Sequence, residues 1–192
     1  MALDALLVST GVVALAEIGD KTQLLAFILA ARFKKPLPII VGILLATLIN
    51  HGIAGLIGAW ITSTINPEVL RWILGISFIG MAVWTLIPDK IEEEESLLGS
   101  KYGVFGATVI TFFLAEMGDK TQIATVALAA NYGTPLLVVI GTTLGMLIAD
   151  VPAVFLGAKF ANKIPMKLVH SLAAAIFAIL GMLTLLQIDQ LF

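Results

Sequence analysis

The residues best suited to chemistry in this 192-residue chain stand in two copies of one nine-residue run. Leu15-Ala16-Glu17-Ile18-Gly19-Asp20-Lys21-Thr22-Gln23 recurs 99 positions later as Leu114-Ala115-Glu116-Met117-Gly118-Asp119-Lys120-Thr121-Gln122, with one exchange, Ile for Met. Both copies lie about midway along apolar stretches. A charge at bilayer mid-depth costs at least ~2.5–3.5 kcal/mol, so such groups face a protein interior and mark a pathway. On a helix, positions i, i+3 and i+4 share a face, which projects Glu17, Asp20 and Lys21 together, and likewise Glu116, Asp119 and Lys120. Glycine permits unwinding at Gly19 and Gly118. A loosened helix would add the neutral oxygens of Thr22, Gln23, Thr121 and Gln122.

Four motif carboxylates face two ammoniums, Lys21 and Lys120, and leave a surplus of two negative charges. One divalent cation or two protons would balance it, as an electroneutral exchanger requires. Carboxylate, hydroxyl and amide oxygens suit Mg²⁺, Ca²⁺ and Mn²⁺. The chain has no cysteine, which removes disulfides, thiolate metal sites and cysteine catalysis. His51 would favour Mn²⁺ over Ca²⁺ if it reached the site, and the 99-residue shift pairs it with Asp150, a second ionisable group inside an apolar stretch. The competing reading of the cluster is a structural ion-pair network, with Glu17 and Lys21 in the favourable i,i+4 order. That accounts for tolerated charge but not for an excess of acid kept twice. Met117 and Met146 are expected to pack.

The elements that hold these residues must be membrane helices. The chain is 59% hydrophobic and 12% charged, against roughly 25% charged in a soluble domain. A span needs roughly 17–25 apolar residues. Six stretches qualify: 5–31, 37–61, 69–87, 103–130, 136–158 and 168–187. The segments between them are polar and carry Pro or Gly. The loops after the first, third and fifth hold Arg32, Lys34, Lys35, Lys90, Lys101, Lys159, Lys163 and Lys167, against Arg71 alone on the other side. By the positive-inside rule both termini lie outside. The N-terminus lacks a basic n-region and a cleavage site, and is expected to begin the first span. Trp60, Trp72 and Trp84 are expected as interfacial anchors, and Gly42, Gly55, Gly58, Gly141, Gly145 and Gly157 as points of close helix approach. There is no long basic run, so nucleic acid is not an expected partner.

A duplicated unit of three helices enters the membrane the second time from the opposite side. The expected fold is therefore an all-α integral membrane protein of six transmembrane helices, arranged as two inverted-topology three-helix repeats. Residues 1–88 form the first repeat, 89–101 an acidic cytoplasmic linker containing Glu92, Glu93, Glu94 and Glu95, and 102–192 the second. Secondary transporters use such repeats and bind substrate near the midplane. Inversion would put Glu17 and Asp119 toward the exterior, and Glu116 and Asp20 toward the cytoplasm.

The doubled Glu-x-Gly-Asp-Lys-Thr, residues 17–22 and 116–121, resembles the signature of the Gdt-type calcium/manganese:proton antiporter family. The resemblance spans essentially the whole chain. It implies export of Mn²⁺, and of Ca²⁺, from the cytoplasm in exchange for H⁺, in a multi-pass protein of a bacterial cytoplasmic membrane. Glu17, Asp20, Glu116 and Asp119, with Thr22 and Thr121, would bind cation and carry protons, and Lys21 and Lys120 would balance charge. No permanently bound cofactor is implied; the partners are the cation, the lipid bilayer and a second copy of the chain. A passive divalent-cation channel and a small amino-acid exporter are the alternatives. Four nearby carboxylates would repel the anionic end of an amino acid. An intramembrane enzyme is excluded by the lack of His-Glu-x-x-His and Gly-x-Gly-Asp.

Overall fold

The computed structural model describes residues 2–87, 103–156 and 166–186. They form eight helices and, among the described residues, no strand: α1 Ala2–Glu17, α2 Lys21–Phe33, α3 Pro36–Thr64, α4 Pro67–Thr85, α5 Gly103–Glu116, α6 Lys120–Tyr132, α7 Pro135–Leu156 and α8 Met166–Leu186. The acidic linker, Gly157, and Lys90, Lys101, Lys159 and Lys163 lie outside the described residues.

Local chemistry sets the boundaries. Pro36, Pro67 and Pro135 open α3, α4 and α7, where a missing N–H breaks no helical bond. Asn66 caps α4 by accepting the Glu68 N–H at 2.9 Å. α2 and α6 both end on a left-handed residue, Lys34 at φ 53° and Gly133 at φ 61°, whose N–H returns to Ala30 and Ala129 respectively. These are equivalent positions in the two copies.

The structure departs from the expected spans at the motifs. Stretches 5–31 and 103–130 each contain two helices instead of one. α1 meets α2 at a bend of 68°, and the chain breaks between α5 and α6 at the matching place. Gly19 (φ 86°) and Gly118 (φ 78°) make the breaks, in a region where a Cβ costs about 1–2 kcal/mol. The unwinding anticipated at these glycines is present. The shared helical face of Glu17, Asp20 and Lys21, and of Glu116, Asp119 and Lys120, is not, because the chain leaves the helix between Glu and Lys in both copies.

α3, α4 and residues Pro135–Phe155 of α7 are each long and apolar enough to cross a membrane, and the bent α1–α2 pair makes a fourth candidate span. α5 and His170–Leu186 are shorter apolar helices. Large apolar side chains cover the outside, with Leu37, Leu56, Leu136, Phe155 and Leu186 all mostly exposed. Apolar patches of that extent belong against lipid, and the chain is a multi-pass membrane protein. Trp60 and Trp72 are exposed on the same surface.

The two halves pack reciprocally. α1 lies against α7 as α5 lies against α3, and α2 lies against α7 as α6 lies against α3. Small residues permit this approach. A Cβ added at Gly42 would sit 2.7 Å from the Thr108 Cβ, and one at Gly141 would sit 2.9 Å from the Cβ of Ser9, the counterpart of Thr108. Gly55, Gly58 and Gly145 are crowded in the same way, the last only 2.6 Å from the Thr10 carbonyl oxygen. α4 and α8 pair separately through Gly75 and Gly181. Met146 is buried in an apolar cluster with Ile39, Ile43 and Phe112, whereas Met117, expected to pack, is half exposed beside its break.

Candidate cation site

Each break is wired the same way, and the wiring accounts for the motif position by position. Glu closes one helix. The Asp directly after the two break residues begins the next as its N-cap, Asp20 at φ −80°, ψ 173° and Asp119 at φ −77°, ψ 167°. Their backbone N–H groups donate to the Glu17 and Glu116 carbonyls at 3.0 and 3.1 Å. The glycine N–H groups freed by the break are taken up by Gln side chains: Gly19 donates to Gln23 Oε1 at 3.0 Å, and Gly118 to Gln122 Oε1 at 2.8 Å. Thr hydroxyls hold the Glu carboxylates, Thr22 on Glu17 Oε2 at 2.5 Å and Thr121 on Glu116 Oε2 at 3.1 Å. Backbone hydrogen bonds lost at the break are thus replaced from within the motif.

The remaining contacts cross between copies. Lys120 Nζ reaches Asp20 Oδ1 at 3.2 Å, and Lys21 Nζ reaches Asp119 Oδ1 at 3.6 Å. Gln23 Nε2 donates to the Ala149 carbonyl at 2.9 Å, and Gln122 Nε2 to Asn50 Oδ1 at 3.3 Å. Ala149 and Asn50 are themselves equivalent under the 99-residue shift. Both motif lysines therefore pair with the other copy's Asp, and the expected Glu17–Lys21 pairing within one helix gives way to this exchange.

Oxygens of Glu17, Asp20 and Asp119 lie within 4.8 Å of one another, all three residues buried, in an arrangement able to hold a metal ion. Glu116 instead approaches His51, whose Nε2 is 4.0 Å from Glu116 Oε2 and whose Nδ1 meets Thr142 Oγ1 at 2.9 Å. Glu116 remains within electrostatic range of Glu17, Asp20, Asp119 and Asp150. Asp150 is completely buried, and neither carboxylate oxygen has a hydrogen-bond partner; one oxygen each of Glu17 and Glu116 is also unpartnered.

Charge is the dominant property of this interior. Five buried carboxylates face two ammoniums, one fully buried and one mostly buried. The surplus is three negative charges, not the two counted from the motifs alone, because Asp150 joins the group. A divalent cation would leave one charge, which one proton would cancel. Unpaired buried charge costs several kcal/mol per ion, so the cluster is built to take up positive charge. Hard oxygen donors suit Mg²⁺, Ca²⁺ or Mn²⁺.

The sequence placed Glu17, Asp20, Asp119, Glu116, Asp150, Lys21, Lys120, Thr22 and Thr121 in one interior, and the structure brings them together. Gln23 and Gln122, expected as ligands, have their amide oxygens engaged by the break's own backbone. His51 reaches Glu116 but not the three-carboxylate group. Two further contributors carry little sequence signal. Thr142 is opposite Ile43 in the repeat, so duplication does not mark it. Asn50 accepts from Gln122 and donates to the Phe113 carbonyl, and its one sequence signal is a polar side chain inside an apolar stretch.

An apolar helical bundle with a buried, acid-rich, oxygen-only cluster defines a membrane protein that handles cations. The family model described as "Divalent cation/proton antiporter GDT1" matches residues 5–93 and 104–190, and the chain belongs to that family, one of transporters and not of enzymes. A Vibrio cholerae protein named "Putative manganese exporter" is 49% identical over 183 residues, covering 95% of this chain and 90% of the relative. GDT1-like protein 5 of Arabidopsis thaliana is 27% identical, covering 90% and 91%. GDT1-like protein 3 of Oryza sativa is 28% identical, covering 91% of this chain and 71% of the relative. No solved structure matches.

Proposed function

We propose that this chain exports a divalent cation, Mn²⁺ and also Ca²⁺, from the cytoplasm in exchange for protons. The observation that carries the reading is the convergence of Glu17, Asp20 and Asp119 oxygens within 4.8 Å, inside a cluster that keeps a surplus of acid. Glu17, Asp20 and Asp119 bind the cation. Glu116 and Asp150 complete the negative field, Thr22 and Thr121 orient the glutamates, and Lys21 and Lys120 hold the aspartates until cation or proton replaces them. Manganese as cargo is supported by the name of the 49% identical relative, and exchange for protons by the family's description.

In this reading the chain has six spans in two inverted three-helix repeats, the broken pairs α1–α2 and α5–α6 each counting as one. The reciprocal packing and the crossed Lys–Asp pairs support it, since a pseudo-two-fold axis produces such exchanges. The eight-to-one distribution of basic loop residues supports cytoplasmic loops after spans one, three and five, outward-facing termini, and insertion in a bacterial cytoplasmic membrane. Residues 1–88 and 102–192 are then the two repeats and 89–101 the cytoplasmic linker.

Exchange is separated from passive conduction by uphill movement. Purified protein in liposomes is given equal Mn²⁺ on both sides and an imposed pH gradient, with Ca²⁺ tested in parallel. An exchanger concentrates Mn²⁺ on the acidic side. A channel leaves the metal equal on both sides at zero membrane potential, and that result would remove the exchange reading.

A further inference from the structure

The two breaks share their wiring but not their surroundings. At the first, His170 of α8 places Nε2 3.2 Å from the carbonyl oxygen of Ile18, a group freed by the unwinding. A carbonyl can only accept, so Nε2 carries the hydrogen. At the second break the equivalent residue is Met117, and among the described residues no donor reaches its carbonyl. The position equivalent to His170 is Arg71, and its Nη1 turns away to the Leu185 carbonyl at 3.2 Å. α8 therefore tethers one break and not the other.

Exposure follows the same division. The Lys120–Asp20 pair, beside the first break, is sealed, with side-chain exposures of 2% and 1%. The Lys21–Asp119 pair, beside the second, is longer, and its lysine is 19% exposed. Met117 is 54% exposed and Ile18 only partly so, while the break glycines Gly19 and Gly118 are both exposed.

We infer that His170 is a positioning residue that latches the first break through the Ile18 carbonyl, so that the Gly19 break opens less readily than the Gly118 break. The two crossed Lys–Asp pairs then serve as the two gates of one site, and the latch biases which of them is tight. The inference rests on the two motifs forming the transport site. It adds that the halves, alike in sequence, are unequal in mechanics. A neutral hydrogen bond shifts an equilibrium by about 2- to 12-fold, a bias that substrate binding can overcome during each cycle.

The absence of cysteine permits a direct test. Ile18→Cys and Met117→Cys are made singly, and their modification by a membrane-impermeant thiol reagent is timed from each face of intact liposomes. Met117→Cys is expected to react readily from one face, and Ile18→Cys slowly from both. Adding His170→Ala to Ile18→Cys should raise its rate about 2- to 12-fold, whereas His170→Gln, which keeps an N–H donor, should restore protection. The rate at Met117→Cys should fall or stay unchanged with His170→Ala. A general loosening would raise both rates and overturn the latch, as would equal reactivity of the two cysteines with His170 intact, or an Ile18→Cys rate indifferent to His170→Ala. Labelling needs no metal flux, so a failed latch and a failed transport assignment give separate results.

Discussion

Removing the Lys120 ammonium is the sharpest perturbation of the site's charge balance. Lys120 lies 3.2 Å from Asp20 Oδ1, and both side chains are almost wholly excluded from solvent. Lys120→Met keeps the length and apolar stem of the side chain but leaves Asp20 against Glu17, Asp119 and Asp150 with one counter-charge fewer. Breaking a buried pair from one side costs about 3–5 kcal/mol, which for a chain of this size corresponds to a thermal midpoint lowered by roughly 6–20 °C. Lys21→Met removes a longer pair, 3.6 Å, whose lysine is 19% exposed although Asp119 is buried, and should cost less than Lys120→Met because water screens part of the charge left behind. The assay is thermal unfolding of detergent-purified protein without added metal, completed as a double-mutant cycle. Lys120→Met with Asp20→Asn should recover most of the loss, because the orphaned charge is gone. A Lys120→Met variant as stable as the wild type, or a double variant as unstable as Lys120→Met alone, would refute the claim that uncompensated buried acid dominates this interior.

Gly118→Ala should destabilise by about 1–2 kcal/mol, since its φ of 78° disfavours any Cβ although nothing lies within 4 Å. Gly52→Ala, equally uncrowded but inside α3, should instead stabilise by about 0.5–1 kcal/mol; denaturation midpoints of the pair compare backbone strain with helix propensity. Thr22→Val removes the hydroxyl that donates to Glu17 and should weaken Mn²⁺ binding about 10- to 100-fold, as loss of a charged hydrogen bond does, measured by titration calorimetry. Metal affinity should fall as pH falls, because carboxylate ligands must be deprotonated to bind; Mn²⁺ added to weakly buffered protein should release protons, detected with an indicator dye.

The motif itself was the legible part of the site. Its duplication, mid-span position and excess of acid led from sequence to one interior containing Glu17, Asp20, Glu116, Asp119 and Asp150. Gly19 and Gly118 were legible as weak points, but a face-sharing pattern such as Glu17, Asp20 and Lys21 presumes the helix continues, and there it stops. Once it stops, Gln23 and Gln122 are recruited to the freed glycine N–H groups, a role spacing on an intact helix does not show. Pairing partners are likewise a tertiary matter. Lys21 has an acid four residues before it in sequence, yet it meets Asp119 because α2 is brought to the second break by packing of the halves. Helix ends marked by Pro36, Pro67, Pro135 and Gly133 were readable locally. The role of His170 was not, since a histidine near the start of an apolar helix reveals its acceptor only when Ile18 is brought beside it.

The central claim is that the acids of the two breaks form one obligatory cation path. Its most direct measurement is Mn²⁺ flux through liposomes under an imposed pH gradient, for the wild-type protein and for Glu17→Gln, Glu116→Gln and the two combined. Each substitution keeps size and a hydrogen-bond acceptor for the neighbouring threonine while removing the charge. The account predicts pH-driven flux in the wild type and none in any of the three variants. Mn²⁺ moving as fast through the double variant as through the wild type would contradict it.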